Sequence, residues 1–378
     1  MELFTAGWNP STGWSTPLPD WDGPNTLVLV FGSADLLDDD TDLRSIVDAF
    51  PSSAMVGCST CGEIRDTGVY DGSLTVAVTR FEHTRLVVET EPVTKSGSAD
   101  TGRAIGKRLI ERGDDLAAVF VLGDGLQVNG GKLAEALTES TGGSAVITGG
   151  LAGDGSRFER TWVLVDGHPA AAHVTAVGFY GTLVQVGHGF EGGWTVLGPE
   201  RVITRSEDNV LLELDGQPAL ELYKTYLGER ASGLPATALL FPLTVRTPEG
   251  DREVVRTILA VDEARQSMTF GGDVPQGSTA QLMRGTTEGL VDAAQVAAAH
   301  ASLSSTEPSL AIAVSCLGRR LYLGQRAEDE LEAVTSGLGP NCSLVGFYGY
   351  GELSPAAEGS CDLHNQTMTI TVVGERAA

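Results

Sequence analysis

Three Gly-rich turns that carry an acidic residue are the features of this sequence best suited to binding chemistry. They span 57–63 (GCSTCGE), 149–154 (GGLAGD) and 346–352 (GFYGYGE). The first and third share the spacing G-x-x-x-x-G-E, whereas in the second Gly153-Asp154 takes the place of Gly-Glu and Thr148 that of the first glycine. Such turns can line a pocket at the ends of strands, where α/β folds bind ligands. They can equally serve only to let strands turn tightly.

In the pocket interpretation, the three turns and their neighbours line or support one ligand site. Arg319 follows an apolar strand and could bind a carboxylate through two hydrogen bonds, although pairing with the protein's own acids is the favoured alternative. Because Arg320 is adjacent to Arg319, the pair beside a predicted pocket leads us to expect an anionic small ligand, such as an amino acid or other carboxylate. The predicted ligand-binding residues are Gly57, Cys58, Ser59, Thr60, Gly62, Glu63, Asp154, Arg319, Tyr348, Glu352 and His364.

The same residues offer little to catalysis or to a metal. Glu63 stands where a phosphate-binding loop carries lysine, and Ser59 lacks the G-x-S-x-G context of a hydrolase nucleophile. Cys58 and Cys61 form a C-x-x-C without the second pair that a zinc site needs. Glu63 and Glu352 could act as acid and base if burial separated their pKa values, but no nucleophile accompanies them. We expect a binding protein without catalytic or metal-binding residues.

The six histidines have no metal-binding spacing. His364 has the best placement, because it begins the predicted strand that follows the third Gly-rich unit, and His188 comes next. Either could be the single strong axial ligand that haem requires, while a structural role is the commoner alternative for any one histidine. A haem-based gas sensor is therefore an alternative function, and no other cofactor is predicted.

Composition restricts the partners. The formal net charge of the 378 residues is −25, which disfavours nucleic acid and anionic membrane surfaces. The longest apolar runs have the length of strands, and no signal peptide is indicated, so membrane insertion is not expected. Five cysteines without framework spacing fit a reducing compartment. We expect a soluble, cytoplasmic protein.

The elements around the turns repeat. Each unit is an apolar strand, a helix, a second strand ending in the turn, and an outward strand. The first strands are 26–33, 117–125 and 309–316, and the helices are 42–50, 131–140 and 327–336. The outward strands are 73–81, a hairpin-like pair of 161–167 and 173–181 around Asp166-Gly167, and 364–373. This pattern predicts an α/β fold of internally duplicated strand–helix–strand–strand units that form mixed sheets with flanking helices.

Other segments do not follow the repeat. Residues 95–112, 217–229 and 283–302 are predicted helices, and an antiparallel meander lies between the last two. Three of the five tryptophans fall within the first 25 residues, which indicates a segment packed onto the core.

Five motifs resemble those of the FIST family: GCSTCGEI (57–64), GGLAGD (149–154), SCLGRR (315–320), GFYGYGEL (346–353) and LHNQTMTIT (363–371). The resemblance covers nearly the whole chain and is closest to a stand-alone, prokaryotic-type member. It implies a FIST N-terminal domain at 25–205 and a FIST C-terminal domain at 215–358 in one compact chain, with 359–378 completing the last sheet.

The resemblance also implies a function. FIST domains are thought to bind small molecules, with amino acids suggested, and to signal to kinases, cyclases or chemotaxis proteins. No output domain remains in the sequence, so we expect signalling through a separate protein such as a histidine kinase or cyclase. Some bacterial members resemble haem-bound nitric-oxide sensors, and an interaction scaffold is a further alternative. The family supplies no catalytic residue to carry over.

Overall fold

The computed structural model describes residues 1–248, 253–305, 307–356 and 359–377. The predicted domain end at 358 and the chain end at 378 lie outside these ranges. The first strands are β1 (Glu2–Asn9), β2 (Gly13–Trp14), β3 (Thr26–Gly32), β4 (Ala54–Ser59), β5 (Glu63–Arg65), β6 (Gly68–Tyr70), β7 (Leu74–Arg80), β8 (Arg85–Pro92), β9 (Leu116–Gly123), β10 (Val146–Leu151), β11 (Val163–Val165), β12 (His168–Ala170), β13 (His173–Tyr180) and β14 (Val184–Glu191).

The remaining strands are β15 (Thr195–Glu207), β16 (Val210–Leu214), β17 (Gln217–Pro218), β18 (Leu243–Arg246), β19 (Glu253–Arg256), β20 (Ile258–Asp262), β21 (Ser267–Phe270), β22 (Thr279–Arg284), β23 (Ser309–Cys316), β24 (Cys342–Gly349), β25 (Gly351–Pro355), β26 (Cys361–His364) and β27 (Met368–Glu375). The α-helices are α1 (Thr41–Ala49), α2 (Ser98–Glu111), α3 (Gly130–Ser140), α4 (Ala219–Leu227), α5 (Thr287–Ala301), α6 (Leu317–Leu323) and α7 (Ala327–Gly337).

Three of the four sheets share one strand order. Sheet I runs β12-β11-β4-β3-β7-β1-β2, sheet II runs β26-β25-β10-β9-β13-β8, and sheet III runs β6-β5-β24-β23-β27-β14. Each has two parallel strands at its centre, two antiparallel strands on one side and a two-stranded hairpin on the other, and sheet I carries the short β2 as an additional edge strand. The predicted α/β class, with repeated units and mixed sheets, is confirmed.

The central strands are continuous apolar runs because both of their faces are covered. Every residue of β3 and of β23 is buried. One face of each sheet points into a shared core that includes Phe31, Phe120 and Phe347, and the other face packs under helices or loops. Parallel strands covered on both faces lose the alternation of apolar and polar residues seen in one-sided sheets.

The hairpin in each sheet comes from a different unit. The chain leaves β4 of sheet I and forms β5 and β6 in sheet III, and it leaves β24 of sheet III and forms β25 and β26 in sheet II. It leaves β10 of sheet II and forms β11 and β12 in sheet I. The exchange is cyclic, so the three units form one interlocked core.

The hairpin predicted around Asp166-Gly167 is present, but its second strand was assigned wrongly. His168–Ala170 pairs with Val163–Val165 around that turn. The longer strand His173–Tyr180 lies in sheet II between β8 and β9. The Asp-Gly dipeptide predicts the position of the turn. Which strands a longer strand pairs with depends instead on the sheet that it joins.

One glycine per unit occupies the same place at a close approach of two backbones. Gly57, Gly149 and Gly346 each pair with a residue of the parallel neighbour strand, and a Cβ built on them would lie 2.1, 1.8 and 1.9 Å from that residue's carbonyl oxygen. A side chain therefore does not fit at any of the three positions. The predicted equivalence of Thr148 with the first glycine was wrong by one residue, and Gly149 is the match.

The acidic positions of the three turns also need a correction. Glu63 faces Phe347 across sheet III, Glu352 faces Gly150 across sheet II, and the residue in the same place in sheet I is Val163, which faces Cys58. The second unit carries extra residues between its turn and its hairpin, so Asp154 is not the equivalent of the two glutamates. Two units place an acid at this inward-facing position, and one places a valine.

The outer covering differs between units. α2 and α3 pack together outside sheet II, and α5 and α7 do so outside sheet III. Among the α-helices of the described residues, α1 alone packs over sheet I, and Trp14 and Trp21 pack against the same core cluster as Ile46 and Phe50. The tryptophan-rich start thus occupies the place of a helix, and its predicted packing onto the core is confirmed.

The predicted non-repeating stretch forms an inserted sheet between β14 and α5, with strand order β19-β18-β22-β15-β16-β21-β20 and β17 beside β16. It has its own core with α4, around Leu211, Tyr223 and Phe270. The predicted helices at 95–112, 217–229 and 283–302 correspond to α2, α4 and α5. None of the described helices is long and apolar enough to span a membrane.

Candidate functional site

The three Gly-rich turns meet in a ring of backbone hydrogen bonds. Cys61 N donates to the Tyr348 carbonyl at 2.7 Å, Gly153 N to that of Ser59 at 3.0 Å, and Tyr350 N to that of Leu151 at 3.0 Å. Each unit donates once and accepts once, so the ring repeats the cyclic exchange of the hairpins. The sequence prediction that the turns come together is correct.

The first turn is closed by its own side chains. Glu63 is buried, and its two oxygens accept hydrogen bonds from Thr60 Oγ1 and Ser73 Oγ, both at 2.6 Å. Ser59 Oγ accepts from Trp162 N at 3.0 Å. Burial raises the pKa of Glu63 to about 7, although the two hydroxyl donors act in the opposite direction. The polar groups of this turn are therefore engaged by the protein itself.

The glycines and cysteines of the first turn have packing roles. Gly62 has φ +130°, and a Cβ there would meet the Arg320 guanidinium. Cys58 and Cys61 are buried free thiols. Burial raises the pKa of Cys58 well above its usual range and that of Cys61 to about 12. Because nucleophilicity requires the thiolate, neither cysteine is reactive at neutral pH.

Asp154 stabilises the loop that the extra residues of the second unit form. Its carboxylate accepts hydrogen bonds from the backbone N–H groups of Phe158, Glu159 and Arg160 at 2.9–3.0 Å and from the Tyr350 hydroxyl. Burial acts to raise the pKa of Asp154, but these donors outweigh it and the pKa lies below its usual value. The predicted ligand contact is instead a cap on a loop.

Arg319 and Tyr348 belong to a buried network around Glu330. The Arg319–Glu330 ion pair has an N–O distance of 2.9 Å, and both side chains are 0 % exposed. Arg319 also donates to the Leu290 carbonyl at 2.8 Å, and the Tyr348 hydroxyl donates to Glu330 at 2.8 Å. The favoured alternative for Arg319, pairing with an acid of the protein, is correct, and its role as a carboxylate clamp for a ligand is not supported.

Glu352 occupies the same position as Glu63 but has a different environment. Its Oε2 accepts from Thr367 N at 3.1 Å and from Thr367 Oγ1 at 2.9 Å. Its Oε1 is buried and accepts no hydrogen bond from the described residues. Burial raises the pKa of Glu352 to about 8, although Thr367, Arg319 and the nearby Cys316 thiol act in the opposite direction.

His364 is the last residue of β26, so the predicted strand 364–373 was wrong at its start and begins instead at Met368 as β27. His364 lies beside Glu352 on the adjacent strand. The two residues face each other in the β25–β26 pairing. The His364 Nε2 lies 3.1 Å from the Ser354 carbonyl oxygen, and the ring stacks on Phe190 with centroids 3.9 Å apart. An axial bond from Nε2 to haem iron would have to replace the contact with Ser354.

The turn from His364 to Thr367 lies buried where the inserted sheet meets sheets II and III. Gln366 has φ +63°, and its Nε2 donates to the Leu239 carbonyl at 2.8 Å. Asn365 Oδ1 accepts from Thr257 N at 3.3 Å. The Gln366 Oε1 and the Ser354 Oγ are buried without a hydrogen-bond partner among the described residues.

We call the group formed by Glu352, Ser354, His364, Gln366 and Thr367 the junction site. Its residues share burial, polar chemistry and a position at the meeting of the inserted sheet with the three-unit core. Sequence analysis found Glu352 and His364 but missed the other three. The available signal was the polar run 364–367 inside an otherwise apolar strand context.

Glu330 was also missed, although its position could have been found. It lies at the spacing of Ala327, Leu331 and Val334 on the buried face of α7. An acid on an apolar helical stripe needs a buried partner. That partner is Arg319.

Fold and site together define a three-unit α/β protein with a buried polar junction beneath an inserted sheet. The FIST N domain model matches residues 26–217, and the FIST C domain model matches residues 219–355. The chain therefore belongs to the FIST family, as the sequence motifs predicted. FIST domains are in general small-ligand sensing domains of signalling proteins.

Other comparisons are distant. No curated protein matches the sequence. Among solved structures, a chorismatase shares 9 % identity at a TM-score of 0.38, over 100 % of this chain and 98 % of that chain. A cyanuric acid hydrolase from A. caulinodans shares 7 % identity at a TM-score of 0.35, over 93 % of this chain and 90 % of that chain. These values are too low to carry an argument about function.

Proposed function

We propose that this protein is a small-molecule sensor that binds its ligand at the junction site. The main support for this proposal is that Glu352 Oε1 and Gln366 Oε1 are both buried without a hydrogen-bond partner among the described residues. A buried polar atom left unsatisfied costs about 1–3 kcal/mol. A ligand that forms hydrogen bonds with these two groups recovers that free energy, which favours binding here over the first turn.

The position of the junction site suits a sensor. The turn that carries Gln366 contacts Leu239 and Thr257 from the inserted segment, while Glu352 belongs to sheet II of the core. A ligand bound between the inserted segment and sheet II would change the free energy with which the two pack together. We propose that a separate protein, such as a histidine kinase or cyclase, reads that change.

The proposal is for binding rather than catalysis. Support comes from the cysteines, since burial raises the pKa of Cys58, Cys61 and Cys316 above the usual thiol range and keeps all three protonated at neutral pH. A ligand recovered unchanged after long incubation, by mass spectrometry, is the expected result. Conversion of the ligand would show an enzyme instead.

The site is tested with two matched variants. Glu352→Gln and Glu63→Gln make the same change at equivalent positions, one in the junction site and one in the closed first turn. A thermal-shift screen of small molecules, followed by calorimetry, should find a ligand that adds about 2.7 kcal/mol of stability at a hundred times its dissociation constant. We expect E352Q to lose that stabilisation and E63Q to keep it.

Two outcomes would contradict this assignment. If E352Q folds and binds every hit with wild-type affinity, the ligand site lies elsewhere. If haemin alone stabilises the protein and gives a Soret band that is lost in His364→Ala, the haem-sensor alternative replaces this one.

A further inference from the structure

The inserted segment, residues 195–284, has a hydrophobic core of its own. Its sheet and α4 enclose an apolar cluster whose members all lie between residues 203 and 282. A unit with a separate core can move relative to its neighbour without exposing that core to water. The inserted segment can therefore move as one body against the three-unit core.

The chain enters and leaves the inserted segment at one place. It enters through Gly192-Gly193-Trp194, between β14 and β15, and leaves through Gly285-Thr286, between β22 and α5. Thr195 pairs with Arg284, so the two connections lie side by side. Gly193 has φ +74°, and a Cβ there would lie 2.2 Å from a carbonyl oxygen of α5, so a side chain does not fit. Two short, adjacent connections at the ends of strands have the geometry of a hinge.

Helix α6 of the core contacts both connections. Arg319 donates a hydrogen bond to the Gly192 carbonyl, and Tyr322 Oη donates to the Gly285 carbonyl at 2.6 Å. Tyr322 also packs in an apolar cluster with Met283, near the end of β22. These contacts stabilise one arrangement of the inserted segment relative to the core.

Gln366 of the junction site contacts both the hinge and the inserted sheet. Its backbone carbonyl accepts from Trp194 Nε1 at 2.8 Å, and its side-chain Nε2 donates to the Leu239 carbonyl at 2.8 Å. The Trp194 ring meets the Tyr322 ring edge to face, with centroids 5.6 Å apart. A movement of the inserted segment away from the core therefore breaks a contact of the junction site.

Polar contacts also join the inserted segment to the core. Thr257 N donates to Asn365 Oδ1 at 3.3 Å. Lys132 of α3 forms an ion pair with Asp208 at 3.7 Å, and both side chains are exposed. Water can replace such contacts when two surfaces separate, so the net cost of breaking each one is small.

Access to the junction site requires such a separation, because its five residues are only 0–6 % exposed. We propose that the inserted segment is a hinged lid over the junction site. It rotates about the connections 192–194 and 285–286, and the hydrogen bonds from α6 hold it closed. That the open lid admits a ligand rests on the proposed function of the junction site.

Hydrogen exchange without any ligand measures the opening. The Thr257 amide donates to the core, whereas the Gly271 amide donates to the Thr257 carbonyl at 2.9 Å, within the lid. Opening frees the first amide and leaves the second bonded. After correction for intrinsic rates, mass spectrometry with residue-level fragmentation should show the Thr257 amide exchanging at least tenfold faster than the Gly271 amide.

Two matched variants test the hinge. Tyr322→Phe removes the hydrogen bond to the Gly285 carbonyl, and we expect it to speed exchange of the Thr257 amide at least threefold without changing that of Gly271. Tyr223→Phe is the control, because the Tyr223 hydroxyl donates to the Phe241 carbonyl at 2.9 Å inside the lid. That variant should leave the ratio of the two rates within twofold of wild type.

A cross-link tests the movement directly. A short bismaleimide that joins Lys132→Cys to Asp208→Cys should slow exchange of the Thr257 amide at least tenfold relative to the same double variant without the linker. Equal rates at the Thr257 and Gly271 amides, or a Thr257 rate that the cross-link does not change, would overturn the lid.

These outcomes are separate from those of the ligand screen. Lid opening without any ligand that is sensitive to E352Q would contradict the proposed function and leave the hinge supported. A ligand that is sensitive to E352Q, in a protein whose Thr257 amide is indifferent to both Y322F and the cross-link, would overturn this inference alone.

Discussion

The turns that carry Glu63 and Glu352 occupy equivalent places in two units and differ at the residue that faces the second oxygen of the glutamate. Both glutamates are buried, and both accept from a hydroxyl just before the outward strand, Ser73 in one unit and Thr367 in the other. The second oxygen of Glu63 accepts from Thr60. The residue in the place of Thr60 is Gly349, which has no side chain, so Glu352 Oε1 remains open.

This difference shows how a repeated fold can build structure and a binding site from the same template. Gly349 cannot carry a threonine, because a Cβ there would lie 2.4 Å from the Leu151 carbonyl oxygen. The second unit has Ala152 and Val163 at the two places, with neither acid nor hydroxyl. Of the three turns, that of the third unit combines a buried acid with a missing donor, and the nearby residues 363–366 contact the inserted segment.

The largest expected effect comes from breaking the ion pair that supports the third turn. Arg319→Leu leaves Glu330 buried without its cation, and we expect it to lower the free energy of unfolding by roughly 3–5 kcal/mol. Chemical denaturation measures this loss. Arg326→Leu is the control, because its ion pairs with Asp329 and Glu288 are exposed and contribute about 0–1 kcal/mol.

The double variant Arg319→Leu/Glu330→Leu should recover part of the stability, because no unpaired charge remains. A single variant as stable as wild type would show that Arg319 is not a structural residue. Arg319 would then again be a candidate ligand contact.

A smaller effect is expected from making the first turn resemble the third. Thr60→Ala removes the donor to Glu63 Oε1 and the acceptor for Gly62 N, and we expect a loss of about 2 kcal/mol. Thr75→Val is the matched control, because the Thr75 hydroxyl is buried without a described partner. Equal stability of T60A and wild type would mean that the hydroxyl does not close the first turn.

The smallest predicted effect is a difference in pH dependence. The pKa in the folded state is raised to about 7 for Glu63 and about 8 for Glu352, so below these values the folded protein holds protons that the unfolded chain has lost. Stability therefore falls as pH rises from about 4.5 through each folded pKa, by at most ~1.4 kcal/mol per pH unit for each group. Between pH 7 and 8 the remaining loss comes mainly from Glu352.

Denaturation of the two glutamine variants across this range checks the assignment. We expect E352Q to flatten the decline between pH 7 and 8 relative to wild type, and E63Q to flatten it mainly below pH 7. If the two variants have the same profile, the environments of the two carboxyl groups do not differ as described.

The local sequence was enough to predict the repeated elements. Apolar runs such as Thr26–Gly32 and helical spacing indicate strands and helices whatever surrounds them. The glycines at 57 and 346 are instead required by the close approach of a neighbouring strand. The motifs also identified the family. The repeat was misaligned in the second unit because Gly153-Asp154 resembles the Gly-Glu pair of the other two turns. Asp154 does not have the strand pairing of Glu63 and Glu352.

What the sequence determined by itself is therefore the set of units, the family and the presence of an acid at the first and third turns. What only the tertiary structure decided is which groups meet: the cyclic exchange of hairpins, the pairing of Arg319 with Glu330, and the open oxygen of Glu352. The physical reason is that hydrogen bonds and ion pairs join residues far apart in the chain. Gly349 and Thr60 look alike as turn residues, and only their contacts show that one turn is closed and the other open.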